Sequence, residues 1–275
     1  MWTCSKPLNT SRMMAVGVLL TALLISAACQ AQLNWSSIKQ YQAPARLLHY
    51  PAPNKPVGTL LIWPEFKQTH HWLSLAQAWQ QRGWQVFLLK PSQQQLQFDP
   101  SSEQVPTSQN QWLTQRAEQL NQVLPKPFLL SDTHSNNTVT ELSQSKKKVP
   151  SPLVVLTQGS ASLWYQQLVD SEAIARPQAL ILFDALPRES SEQQMLAISL
   201  ARSPYPILDI YSRPDNPLAW HNQQRRQQQL QQREKTGYAV QHFNDLSVLN
   251  KQIAGWLVRL GWLPLPPSAP QYLKE

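Results

Sequence analysis

The chain has 275 residues, of which 42% are hydrophobic and 15% charged. That suffices to bury one sizeable core and is too little apolar sequence for a multi-span membrane protein. The net charge of +8 comes without a dense Lys/Arg stripe interleaved with aromatics, which argues against nucleic acid as a partner.

Residues 1–28 read as a secretory signal. Lys6 and Arg12 form a basic start, and the apolar run 13–28 ends in Ser26-Ala27-Ala28. The run is short beside the roughly 20 residues of a membrane-spanning helix, an uncleaved anchor being the alternative. The domain is therefore expected to be exported and periplasmic. Without Lys6 and Arg12, 22 basic residues face 16 acidic ones. Solubility explains that excess, and a mild positive field also suits anionic surfaces.

The cysteines are Cys4, inside the signal, and Cys29, just after it. No internal disulfide is expected, so stability must rest on the core. Cys29 is either the lipidated first residue of a lipoprotein or an ordinary residue beside a cleavage after Ala28 or Ala31. Ser26 stands where lipoprotein signals usually carry Leu. A lipid there would hold the domain at a membrane surface.

Residues 29–57 read as an irregular, Pro-containing lead-in, and residues 58–265 as one domain. GTLLIW, 58–63, is an apolar run bounded by Gly and Pro, the pattern of a buried strand. Trp72, Leu75, Ala76 and Trp79 recur at helical spacing over 72–82, and Gly83 ends that helix. WQVFLL, 84–89, is the next strand. Strand, helix, strand in this order implies a parallel sheet with helices on its faces.

A helix is expected over 112–124, then a polar insertion over 131–152 containing Asn136-Asn137 and Lys146-Lys147-Lys148. LVVLT (153–157), ALILF (179–183), PILDIY (206–211) and YAVQHF (238–243) read as further strands. Helices are expected over 161–169, 192–201, 217–235 and 246–260, the last with Leu249, Ile253, Trp256, Leu257 and Leu260 on one face. Residues 266–275 form a tail. The fold class is α/β, an α/β-hydrolase-like single domain with a mostly parallel sheet.

That fold locates the chemistry. A serine hydrolase of this kind carries G-x-S-x-G at a strained strand-to-helix turn, with the Ser at the tip and the helix N-terminus helping to stabilise the oxyanion. Here the strand 153–157 leads into Gln158-Gly159-Ser160-Ala161 and then a helix. The tip is Gly159, which meets the backbone strain of the turn and has no nucleophilic atom. Ser160 comes one place later, where it suits a helix start. A register shift of one would make Ser160 the tip.

Asp215 follows the strand before last, and His242 stands in the last strand. An Asp–His pair there would orient an imidazole as general base. Each also has a plain structural role. Asp215 or Asn216 before Pro217 makes a helix cap, and His242 can be an ordinary sheet residue.

His70-His71 lacks a third ligand at metal spacing, although Glu65 is near, so a helix-start role is expected and no metal or cofactor is called for. Of the 11 tryptophans, Trp72, Trp79, Trp112, Trp164 and Trp256 fall on helix faces and are expected in the core. The stretch QQRRQQQLQQREK, 223–235, suits a solvated face, a membrane or a partner.

GTLLIWPEF, a helix, and then RGWQVFLLKP resemble the start of the α/β-hydrolase-like proteins grouped as domain-of-unknown-function family 3530. QGSA (158–161), ILDIYSRPDNP (207–217) and QIAGWLVRLGW (252–262) are similar to later parts of that pattern. The resemblance spans residues 58–262 and implies a signal peptide, an envelope location and an elbow with Gly in the place of Ser. It supplies no reaction. The expected function is a non-catalytic binding or envelope protein. An esterase or amidase using Ser160, His242 and Asp215 is the alternative, and a glycan-binding module using exposed tryptophans is a third reading.

Overall fold

The structure, a computed structural model, describes residues 39–40, 47–65, 69–90, 105–124, 151–187, 189–212, 217–242 and 246–265. The expectations for residues 1–28, Cys29, Asp215 and 266–275, and for the insertion 131–152 up to residue 150, lie outside them. All described residues fall in one compact unit, Lys39–Glu275.

Eight strands form one sheet: β1 (Lys39–Gln40), β2 (Leu47–Tyr50), β3 (Thr59–Trp63), β4 (Gln85–Leu89), β5 (Leu153–Gln158), β6 (Ala179–Phe183), β7 (Ile207–Tyr211) and β8 (Tyr238–His242). Their spatial order is β1-β2-β4-β3-β5-β6-β7-β8. From β4 to β8 every pairing is parallel, while β2 runs antiparallel to both β1 and β4.

β1 and β2 come from the segment that reads as an irregular lead-in, which is a correction. The run Leu47–Tyr50 is too short and too close to Pro51 to show an alternation. It becomes a strand by pairing with β4, in register Leu47↔Leu89 to Tyr50↔Val86.

Helices α1 (Thr69–Gln81), α2 (Val105–Val123), α3 (Ala161–Asp170), α4 (Ser190–Arg202), α5 (Pro217–Gln232) and α6 (Leu249–Arg259) complete the fold. α2 begins seven residues before its apolar pattern does. Thr107, Ser108, Asn110 and Gln111 are exposed, so that first part carries no hydrophobic stripe to read. The other element boundaries differ from expectation by a few residues at most, except that α5 ends three residues early and α6 starts three residues late, after a 3-10 turn at Leu246–Val248.

The central strands are buried on both faces, as a parallel sheet between helices requires. Leu61, Trp63, Phe87, Leu89, Leu153, Val155, Leu180, Leu182 and Ile207 form one continuous core with residues of α2, α3 and α4. On the opposite face Trp72 of α1 meets Phe183 edge to face at 5.3 Å. Trp72, Trp79, Trp112, Trp164 and Trp256 are all buried. Trp63, Trp112 and Trp164 form a chain of edge contacts at 6.0 and 4.7 Å. These tryptophans fill the core and offer no platform to a sugar.

The Gly-Trp pair that opens β4 has a packing reason. A β-carbon on Gly58 would lie 2.5 Å from the Trp84 ring, so only glycine admits that indole beside β3. Gly83, at φ +85°, ends α1 through its N–H to Gln80 O at 2.9 Å, followed by Trp84 N–H to Trp79 O at 3.1 Å.

Candidate functional site

Ligands of open α/β sheets bind at the carboxyl ends of the strands. There β5 ends at Gln158, the chain turns through Gly159 and Ser160, and α3 starts at Ala161. The positive φ of the turn, +57°, falls on Gly159. Ser160 already has helical angles, φ −65° and ψ −22°. The tip of the elbow is therefore Gly159, and the alternative register with Ser160 at the tip is not the one formed. The turn is tied down by Gly159 N–H to Phe183 O at 3.1 Å and Ser162 N–H to Gly159 O at 3.2 Å.

The space above Gly159 is taken. A β-carbon there would sit 2.5 Å from Glu65 Oε2 and 2.7 Å from Cδ. Glu65 comes from the segment after β3 and is half-buried. A carboxylate beside the start of α3 is favoured by the partial positive charge of that helix end.

Gln158 holds this arrangement. Its Oε1 accepts the backbone N–H of Glu65 at 3.0 Å and the indole N–H of Trp72 at 3.0 Å. In a hydrolase of this fold an N–H from the segment after β3 helps to form the oxyanion hole. Here that N–H is bonded to a side chain of the same protein.

Ser160 is 8% exposed and its hydroxyl caps no helix N–H. Thr157 and Ser162, on either side of the turn, bond to one another at 3.0 Å. His242 is the last residue of β8, three strands away from β5. The His242 ring stacks on Tyr211 at 5.6 Å and lies 3.4 Å from Gln223 Nε2. Among the described residues it makes no hydrogen bond with Ser160. The elbow thus gathers Gln158, Gly159, Ser160 and Ala161, and His242 stands at the end of β8.

Three features at this edge escape a reading of the sequence. The first is Glu65 at the elbow. The second is Asp184, just beyond β6, which has a left-handed backbone with φ 46°. Its carboxylate accepts the Ser212 N–H at 2.8 Å and the Ser212 hydroxyl, fixing the start of the turn after β7. An acid directly after the apolar run ALILF was the available signal.

The third is a buried ion pair beneath the edge. Arg226 of α5 donates to Asp209 of β7 at 2.8 Å and to Ala185 O at 2.9 Å, with both charged side chains fully buried. The Tyr238 hydroxyl of β8 also donates to Asp209. Burial alone would favour proton loss from Arg226, but the Asp209 carboxylate outweighs it and raises the pKa. Burial first, and then the Asp209 charge, push Tyr238 well above the ordinary tyrosine value. An Asp inside the strand PILDIY was the signal, because a buried carboxylate requires a partner.

His70 and His71 stand at the start of α1. Among the described residues no group of three His, Cys, Asp or Glu side chains comes together as metal ligands. None of the described helices is long and apolar enough to cross a membrane.

Comparison with known proteins agrees with this architecture. Residues 26–259 match the family described as protein of unknown function (DUF3530). No curated relative matches the chain. Among solved structures, the sugar hydrolase YeeB from Lactococcus lactis is similar with a TM-score of 0.52 at 11% identity, covering 81% of this chain and 98% of that one. A carboxylesterase-like protein from Lactobacillus plantarum gives 0.51 at 10% identity, covering 82% and 98%. The protein TT1662 from Thermus thermophilus gives 0.50 at 12% identity, covering 83% and 99%. At these identities the likeness shows the α/β-hydrolase fold and nothing of the reaction.

Proposed function

This chain belongs to the DUF3530 family, and from that premise we propose that it is a non-catalytic binding protein of the cell envelope, built on a hydrolase fold. One observation carries the reading. At the elbow, glycine stands in the nucleophile's place, and the carboxylate of Glu65 packs where the nucleophile's side chain would project. The Gln158 side chain adds to it by engaging the Glu65 N–H that would face an oxyanion.

A fluorophosphonate probe that labels activated serines tests this. No labelling of the purified protein is expected. Labelling that disappears in Ser160→Ala would instead establish the esterase or amidase reading with Ser160, His242 and Asp215.

The envelope location rests on the N-terminal segment: its basic start, its apolar run and its small-residue exit before Cys29. Mass spectrometry of the mature protein should find residues 1–28 removed, and a diacylglyceryl mass on Cys29 would add lipid anchoring. A full-length chain recovered from the cytoplasm would remove the envelope from this proposal.

A further inference from the structure

We propose that the outer edge of β8 is an interface between two copies of this chain, which pair there as antiparallel strands about a two-fold axis at Val240. The proposal is independent of the reading of the elbow.

β8 stands at one end of the sheet and pairs with β7 on one side only. One hydrogen bond fixes the direction of its backbone groups. Ile207 N–H donates to Gly237 O at 2.9 Å, and Ile207 stands opposite Tyr238. In a parallel ladder alternate residues of a strand face alternate sides. Ala239 and Gln241 therefore turn their N–H and C=O groups to β7, as Gly237 does. Tyr238, Val240 and His242 turn theirs away from it. Among the described residues no hydrogen bond occupies those outward groups. The residues of β8 are accordingly partly exposed, whereas β5, β6 and β7 are buried throughout.

Folded proteins guard an open edge with charges, proline, a bulge or brevity. β1, at the other end of the sheet, has two residues, one of them Lys39. β8 has none of these devices. Its sequence Tyr-Ala-Val-Gln-His carries no Lys, Arg, Asp, Glu or Pro, and it keeps unbroken register with β7 from Tyr238 to His242.

The edge is complementary to itself. With Val240 opposite the partner's Val240, Tyr238 falls opposite the partner's His242, and His242 opposite the partner's Tyr238. Every such pair joins two outward-facing residues, and opposed residues of that kind exchange both N–H···O=C bonds in an antiparallel ladder. A register shifted by one residue would set outward groups against inward ones. Identical strands bearing a Lys or a Glu would repel across the axis, and β8 bears neither. A charged peptide finds no counter-charge on β8, so a second copy suits this edge better. The contact is isologous and closes at two chains. The two sheets become continuous, and since the paired strands run in opposite directions, the two elbows open on opposite edges of the joint sheet.

Sedimentation equilibrium of the purified protein from about 1 to 100 μM tests the assignment, and a reversible dimer is expected in that range. Amide-resolved hydrogen exchange should show the Tyr238, Val240 and His242 amides slowing as protein concentration rises. The Ala239 and Gln241 amides, bonded to β7, should be protected at every concentration. Val240→Pro removes an outward N–H and no bond to β7, a change that edge strands tolerate. With its circular dichroism unchanged, it should raise the dissociation constant by about tenfold or more. A monomer at the highest concentration overturns the proposal. So does a dimer whose Tyr238, Val240 and His242 amides exchange freely, or a folded Val240→Pro that dimerises as the unmodified protein does. If Val240→Pro fails to fold, the exchange pattern decides alone. None of these outcomes bears on fluorophosphonate labelling.

Discussion

The Glu65 carboxylate lies over the α-carbon of Gly159, in the volume that a side chain at the elbow would enter. The obstacle is the far end of a flexible side chain, so Glu65 can swing away from a new β-carbon. The backbone cannot adapt as easily, because φ at Gly159 is +57°. Gly159→Ser should therefore cost about 1–2 kcal/mol, the price of a left-handed residue with a β-carbon. It should still hydrolyse no p-nitrophenyl ester, since the His242 ring is engaged by Tyr211 and Gln223. Urea unfolding and an esterase assay on the same preparation check both halves.

Gln158 makes a second prediction. Gln158→Leu keeps the volume and removes the acceptor shared by the Glu65 N–H and the Trp72 indole N–H. Two donors lose their partner, at about 1–3 kcal/mol for each that stays buried. Hydrogen exchange at the Glu65 amide should accelerate more than at the strand amides of β3. Equal protection in the variant would mean that Gln158 does not hold the segment after β3.

Arg226→Met leaves Asp209 as an uncompensated buried charge. A loss of about 3–5 kcal/mol is expected, read as a lower urea midpoint. Replacing Asp209, Arg226 and Tyr238 together by Leu, Met and Phe should recover most of it, because the cost lies in the orphaned charge. A triple variant as unstable as the single one would show that the network itself supplies net stability.

Alkali should unfold the protein steeply. Burial raises the pKa of Tyr165, Tyr205 and Tyr238 above the ordinary value of 10.0, so the folded state keeps protons that the unfolded chain releases. Stability is then full below about pH 10 and falls as pH rises further, by about 1.4 kcal/mol per pH unit for each such tyrosine. Lys235, whose pKa burial lowers, gains stability as pH rises towards 10.5 and does not counter the loss beyond it. Denaturant titrations on either side of pH 10 measure it, and a flat profile would contradict the burial of these hydroxyls.

The layered architecture was legible because its signals are local. An apolar run bounded by Gly and Pro, such as GTLLIW, must be buried on both faces, and a stripe at 3.6-residue spacing must pack on one. The glycine at the elbow could be read for the same reason, since the turn constrains one backbone position directly. Elements without such a signal stayed hidden: β2, whose four residues form a strand only against β4, and the polar first turns of α2.

The contents of the site belong to the other class. Glu65 and Gly159 are far apart in the chain and meet only because β3 and β5 are neighbours in the sheet. Gln158 joins them because its side chain leaves the strand on the α1 face, where Trp72 waits. Sequence determines what each segment buries and how it bends. Which side chains share one end of the sheet depends on the order in which the strands pair, and that order is chosen by the core as a whole.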